Sequence, residues 1–475
     1  MNIFDIDIET FEQDFQTYNK VKNGEVHTDF KLINDMLDLI PKKCFTNPTL
    51  KWLDPCAGRG YFGMILYKRL FLSLKFLFPD EKERHTHIVE QMIYMIEVNI
   101  EFIPILIKLF GEKCHIYNEN FVAHERGVLY DMVIGNPPYN IQGQLALDTE
   151  RTKMVSGNGC WTSFVGKALS VLKGKGYLCF VTPSIWMKHD HPIFRSLLSY
   201  NVKKIHTLNN TETNKIFHGH AQTPTSYFLL RNICRHLHPK LGSVYIYDKA
   251  HDKYTKYNMV PYCDNSMIVP GIYNYNVGQI MSLPLFGVSI INKLQKFVKK
   301  AGYINVTKTN MRPGYKGLVV TPEPTDSTPY PNITTCILNG LQPELVINYS
   351  NIECAFYDVP KLVLAHKMYG FPFLDISGVY GISNRDNYVI YNKTNKELLQ
   401  LKNFLSTNFI ITLYESTRYR MSYLERYIFE MLPDITKLTD FPEDINDETL
   451  FDYFGLDNLE RKLINNFHKK RYLSF

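Results

Sequence analysis

Apolar residues recur at helical spacing over 27–40, "HTDFKLINDMLDLI", with Thr28 as the predicted N-cap, and again over 61–78, "YFGMILYKRLFLSLKFLF". Between them "TLKWLDPCAGRG" (49–60) is a short apolar strand that runs into glycines. The order then repeats, with "QMIYMIEVN" (91–99) as a strand ending at an acid, "IEFIPILIKLFG" (100–111) as a helix closed by Gly111, and "CHIYNENFV" (114–122) as a short strand. Next come "LYDMVIGNPPYN" (129–140) as a strand, "WTSFVGKALSVLKGKG" (161–176) as an amphipathic helix stopped by glycine, and "YLCFVTPSIWM" (177–187) as another apolar strand. "VKKIHTLNN" (202–210) and "TPTSYFLLRN" (223–232) complete the series as a final pair of strands. Strands alternating with helices predict an α/β domain built on a parallel sheet.

"RHLHPKLGS" (235–243) has the proline, glycine and basic character of a connector and sets a domain boundary near residue 240. The chain beyond it is rich in tyrosine and asparagine with many turns to about residue 390, then helical through 395–432. A separate mixed domain over 241–475 is expected, with no fold specified by the pattern. With 475 residues, 45% of them hydrophobic, the chain can bury more than one core. The apolar runs are broken by charges before the roughly 18 residues a membrane-spanning helix needs, and no leader pattern opens the chain. An intracellular, cytoplasmic protein without a membrane anchor is expected.

Charge changes this picture. The net +6 is unevenly spread: residues 1–150 hold 15 Lys and Arg against 22 Asp and Glu, whereas 151–430 hold 32 against 16. Such a basic excess suits a polyanion such as nucleic acid, because neutralising phosphates releases counterions; an ordinary basic surface is the competing explanation. The nine cysteines stand singly without a CxxC pair and read as reduced core thiols. The histidine pairs at 189–191, 218–220 and 236–238 lack a companion pattern of cysteines or acids, so no metal is expected.

Three strand tips carry candidate chemistry. Gly58 and Gly60 let the backbone turn sharply after the first strand and bring a ligand close to a helix N-terminus. Glu97, at the end of the next strand, can accept hydrogen bonds from both hydroxyls of a ribose. Gly60 and Glu97 lie 37 residues apart, well beyond the roughly 20 of a compact nucleotide unit, and Glu90 is a rival acid. The third tip is Asn136, Pro137, Pro138 and Tyr139. The prolines remove two backbone donors and leave outward carbonyls. The Asn136 side-chain oxygen and the Pro137 carbonyl could grip both hydrogens of a planar amino group, and Tyr139 could stack on an aromatic ring. Two acceptors favour the pyramidal, positively charged nitrogen of a methyl-transfer transition state.

These residues resemble the S-adenosylmethionine-dependent DNA adenine-N6 methyltransferases of the TaqI kind, in which a methylase domain precedes a target-recognition domain. The resemblance covers about residues 25–235. It rests on "HTDFKLIND", "DPCAGRG", Glu97, "NENFV", "NPPY" and the helix and strand that follow, in that order along the chain. It implies a Rossmann-like, seven-stranded, mostly parallel sheet with helices on both faces, followed by a C-terminal mixed α+β target-recognition domain. It also implies S-adenosylmethionine as cofactor, held by Thr28, Asp54, Pro55, Cys56, Ala57, Gly58, Gly60, Glu97, Asn120 and Phe121. Asn120 stands where the family usually has aspartate, and the segment before Glu97 is longer than usual. Asn136, Pro137, Pro138 and Tyr139 become the catalytic motif, with Tyr139, Trp186 and Phe194 as candidates to stack on the target base.

The implied substrate is double-stranded DNA with the adenine flipped out of the helix. RNA adenine, cytosine N4, a protein glutamine amide, or a non-catalytic specificity subunit are the alternatives. A separate restriction endonuclease is left open as a partner. Segments 312–317, 365–370 and 416–427 mix basic and aromatic residues as DNA-contacting elements do, and as solvated loops and amphipathic helices also do.

Overall fold

The computed structural model describes residues 2–5, 28–139, 160–234, 243–258, 281–308, 317–339, 342–366, 372–420 and 424–467. The chain divides into two compact units, Met1–Trp186 with Asp190–Ile246, and Met187–His189 with Tyr247–Phe475. Residue 240, where composition placed the boundary, lies outside the described residues. Among those described, no helix is long and apolar enough to cross a membrane.

In the first unit, strands β1 (Trp52–Asp54), β2 (Ile93–Glu97), β3 (His115–Asn118), β4 (Tyr130–Gly135), β5 (Leu172–Pro183), β6 (Tyr200–Leu208), β7 (Thr225–Cys234) and β8 (Ser243–Asp248) pair in the order β3-β2-β1-β4-β5-β7-β6-β8. β3, β2, β1, β4 and β5 run parallel, whereas β7 is antiparallel to both of its neighbours. β1 and β2 are buried at every position, which is why they read as unbroken apolar runs. β8 joins parallel to β6 and extends the sheet past the seven strands expected. Because β1, β2 and β4 are parallel and in near register, Asp54, Glu97 and Gly135 end on the same edge of the sheet.

The helices α1 (Phe30–Leu37), α2 (Tyr61–Ser73), α3 (Ile103–Phe110) and α4 (Trp161–Val171) fall where the periodicity predicts, with two differences. The N-cap of α1 is Asp29, whose carboxylate accepts from the Lys31 amide; Thr28 does not cap it. α4 stops at Val171 rather than at the glycines, and β5 begins at once with Leu172. Gly176 lies inside β5, where a Cβ would come 2.7 Å from the Asp131 carbonyl, so this glycine serves close strand approach and not helix termination.

The second unit holds two small sheets. Besides β9 (Lys253–Asn258), which belongs to neither of them, its strands are β10 (Thr307–Lys308), β11 (Val320–Thr321), β12 (Tyr330–Asn339), β13 (Gln342–Ser350), β14 (Lys361–Ala365), β15 (Phe373–Asp375), β16 (Gly381–Ile382) and β17 (Asn387–Ile390). One sheet has the order β10-β17-β14-β15, with every pair antiparallel. The other, β11-β13-β12-β16, is antiparallel except between β12 and β16. Ile333, Val363, Ile382 and Val389, drawn from both sheets, form one buried cluster. Helices α5 (Val288–Ala301) and α6 (Asn395–Leu405) present apolar faces to this unit, α6 with a capping box between Thr394 and Glu397.

Candidate active site at the carboxyl edge of the sheet

The turn after β1 uses its two glycines differently. Gly60 has φ +89°, and a Cβ there would lie 2.9 Å from Leu106, so its bareness lets α3 pack against the turn. Gly58 has φ +53° with nothing within 4 Å of the Cβ position, so this face of the turn is open to a ligand. α2 starts directly behind Gly60 without a side-chain cap, so its N-terminus faces the turn.

Glu97 closes the turn from the next strand. Its Oε2 accepts from the Gly58 amide and its Oε1 from the Asn99 amide, both at 2.7 Å. The carboxylate is thereby held in one orientation at the tip of β2. Glu90 sits in the one-turn π-helix Ile88–Met92 ahead of β2, where its carboxylate faces Lys113 at 3.5 Å. The structure therefore brings Glu97, and not Glu90, to the glycine turn. The helices inserted at 81–92 account for the long spacing.

Asp54 is buried, and its Oδ1 accepts from the Cys56 amide at 3.2 Å, while Oδ2 has no hydrogen-bond partner among the described residues. Burial pushes its pKa from 3.8 up to about 7; the Cys56 amide pulls it down and the nearby Glu97 charge pushes it further up. Between those two values the folded chain keeps a proton that the unfolded chain has lost. Stability from this group therefore falls as pH rises from about 4 to about 7 and is level above. Asp54→Asn should remove that slope. The check is the difference in unfolding free energy between wild type and variant across this range; parallel curves would contradict the shift.

The tip of β4 meets the turn of β1. A Cβ on Gly135 would come 3.1 Å from Asp54 Oδ1 and 3.3 Å from Pro55, so any other residue would press these side chains back by a few tenths of an ångström. One residue on, the Asn136 carbonyl accepts from the Cys56 thiol at 3.1 Å, and Asn136 Nδ2 donates to Thr28 Oγ1 at 3.1 Å. With Nδ2 directed at Thr28, Asn136 Oδ1 is left as a buried acceptor without a partner among the described residues. Pro137 is buried and Pro138 exposed. Tyr139 is half-buried, meets Phe217 edge-on at 6.3 Å, and has a buried hydroxyl with no partner among the described residues, its pKa driven well up by burial.

Three buried polar atoms without partners, Asp54 Oδ2, Asn136 Oδ1 and the Tyr139 hydroxyl, thus belong to the tips of two adjacent strands. Native proteins seldom leave such atoms unpaired, and a ligand that supplies their partners resolves the cost. Cys56 and Phe217 are contacts the motifs did not foretell as partners of this tip. Only Cys56 had been singled out, as a cofactor residue.

Other predicted residues are used elsewhere. Asn120 is exposed, and its Oδ1 accepts from the Val122 amide, capping the short turn Phe121–Ala123; one lone pair of that oxygen is already engaged. Phe121 is 1% exposed and packs on Phe164 at 5.4 Å. Trp186 and Phe194, the base-stacking candidates, are both buried. Trp186 is 0% exposed, donates Nε1–H to Ser226 Oγ at 3.0 Å and meets Phe228 edge-on, while Phe194 is 1% exposed. Both rings are committed to the core and present no free face. Trp186→Ala should therefore cost about 3–5 kcal/mol of stability. Trp186→Phe should lower the unfolding midpoint while leaving KM for the substrate unchanged; a raised KM with no loss of stability would restore the stacking role.

Of the histidine pairs, that at 189–191 is likewise engaged, while His218 and His220 are exposed. His189 bonds Ser282 Oγ, and His191 caps the helix Pro192–Leu198 and stacks on Trp161. The pair at 236–238 lies outside the described residues. Among the described residues one His and acid group, His251, Asp457 and Glu460, is close enough to hold an ion; the Lys293 ammonium lies against Glu460 and 3.6 Å from Asp457 and already supplies a cation there.

Strand order and strand tips define an α/β protein in which a glycine turn, an acid-ended strand and a proline-tipped strand share one sheet edge. Residues 58–217, about a third of the chain, match the family described as Eco57I restriction-modification methylase. A protein of Mycoplasma pneumoniae described as an uncharacterized adenine-specific methylase is 26% identical over 257 residues, covering 38% of this chain and 59% of that protein. The chain thus spans less than two thirds of that relative's length. Among solved structures, the methyltransferase subunit of a type I restriction-modification system from Streptococcus thermophilus is 17% identical with a TM-score of 0.35, covering 53% of each chain. The EcoKI M protein of a type I restriction enzyme is 16% identical with a TM-score of 0.36, covering 48% of this chain and 49% of that one. Overlays this loose carry no argument about activity.

Proposed function

We propose that the chain is a site-specific DNA methyltransferase that transfers a methyl group from S-adenosylmethionine to N6 of an adenine flipped out of double-stranded DNA. The observation that carries this reading is the unpartnered Asn136 Oδ1 at a strand tip followed by two prolines. The match to a restriction-modification methylase family supports it.

The residues present fit the cofactor. Open Gly58, the carboxylate of Glu97, the unpartnered Asp54 Oδ2 and the uncapped start of α2 would take its ribose and its charged methionine end. When bound, S-adenosylmethionine supplies an electrophilic methyl group on a sulfonium. Asn136 Oδ1 and the Pro137 carbonyl accept the two N6 hydrogens. This draws the nitrogen lone pair out of conjugation and steadies the positive charge that develops on it. Thr28 fixes the amide orientation and the Cys56 thiol holds the Asn136 backbone. Tyr139 stacks on the base, and the surplus proton leaves to solvent. The part of the chain from 241 to 475 reads the flanking sequence.

Incubating the full chain with labelled S-adenosylmethionine and unmethylated DNA, followed by nucleoside analysis, tests the reading. N6-methyladenine at a defined sequence is expected. Its absence with protein that binds the cofactor sinks the proposal, and label in RNA, in N4-methylcytosine or in a glutamine amide would redirect it.

A further inference from the structure

In the second unit, the register of three antiparallel strands brings a set of cations to one end of a sheet. Lys308 on β10 pairs with Tyr388 on β17, Tyr388 pairs with Leu364 on β14, and Asn387 pairs with Ala365, directly before His366. Lys308 Nζ lies 5.6 Å from the centre of the Tyr388 ring, and His366 meets the same ring edge-on at 5.6 Å. The His366 amide donates to the Asp386 carbonyl and its own carbonyl accepts from the Leu424 amide; Tyr388 donates its hydroxyl to the Leu424 carbonyl. The described ends of two of the basic and aromatic segments, 365–370 and 416–427, therefore border one place through His366 and Leu424, with Lys308 beside them.

Lys308, Arg385 and Arg420 are exposed, and none closes an ion pair with a described acid. Among the described residues the acids acting on Lys308 are Asp386 and Glu425, and Glu425 already faces Lys188 at 3.7 Å. Positive charge is in excess here. We infer that Lys308, Arg385 and Arg420, arranged around His366 and Tyr388, grip phosphate diesters of the DNA backbone. This rests on the reading of DNA as substrate. Crowding of like charge is visible in the titration of the cluster. Burial lowers the pKa of Lys308, with Glu425 and Asp386 opposing and Arg385 and Lys188 adding to the fall. Burial and the adjacent Lys308 hold His366 down to about 4, so it stays neutral among cations. A bound phosphate would relieve that repulsion, whereas a neutral partner would not.

The test is the salt dependence of duplex DNA binding by the full chain, followed by fluorescence anisotropy. Each lost phosphate contact lowers the slope of log K against log salt by about 0.9. The triple variant K308A/R385A/R420A should therefore lose about 2.7 of that slope, and R420Q alone about 0.9. A control of equal charge change at exposed Lys253, Lys256 and Lys396 should leave the slope nearly unchanged. Equal effects of the two triple variants, or no change from either R420Q or K308A/R385A/R420A in protein that binds DNA and cofactor, overturns this site alone. Wild-type protein that binds cofactor but no DNA overturns the DNA reading and this inference with it.

Discussion

Asn136→Ala is expected to lower methyl transfer by about a hundredfold to a thousandfold, the usual cost of removing one group aimed at charge that develops in a transition state. Cofactor binding should persist, because the variant leaves the Glu97 and Gly58 contact intact. The loss falls on the acceptor Oδ1, which has no other partner, and on the Nδ2 bond to Thr28. Asn136→Asp separates the two. A carboxylate keeps the acceptor, and the Thr28 hydroxyl can turn to donate to it, so much of the activity should return. Single-turnover rates with saturating cofactor are the measurement. Full activity in Asn136→Ala would remove the residue from the reaction.

Glu97→Ala should abolish useful cofactor binding and also weaken the fold. It leaves the Gly58 and Asn99 amides without the acceptor each now uses, and hydrogen bonds to a charged group contribute about 1.5–3 kcal/mol each. Affinity for S-adenosylmethionine should drop by at least about a hundredfold, corresponding to ~2.7 kcal/mol. Glu97→Gln, though nearly the same shape, turns an amide NH₂ toward one of the two backbone donors and should recover little. Calorimetric titration together with thermal unfolding tests both effects. An unchanged dissociation constant in Glu97→Gln would contradict the part given to the carboxylate.

The strands that frame the site could be read in advance because a strand buried on both faces must be apolar throughout. β1, β2 and β4 therefore stand out against the helices between them. Their tips could be read for the same reason: Asp54, Glu97 and Asn136 are polar groups placed directly after apolar runs. Helix ends were less legible. The glycines at 174 and 176 look like a helix stop, but they lie inside β5, where at Gly176 the sheet and not the helix needs a missing Cβ. The aromatic residues Trp186 and Phe194 show the same limit. A large ring near a motif looks alike whether it packs or binds, and only the surrounding atoms, here Ser226 and Phe228, decide.

By itself the sequence determined the alternation of strands and helices, the motifs at the strand tips and the surplus of positive charge in the middle of the chain, all of which are local properties. The tertiary structure decided the rest. It chose Glu97 over Glu90 by placing one at the carboxyl end and the other before the amino end of β2. It joined Thr28 to Asn136 across 108 residues and left the amide oxygen bare. It also set Lys308, Arg385 and Arg420 around one sheet end. Such pairings depend on strand register and on which neighbours take up each donor and acceptor, and neither is encoded in the order of residues along a single stretch of chain.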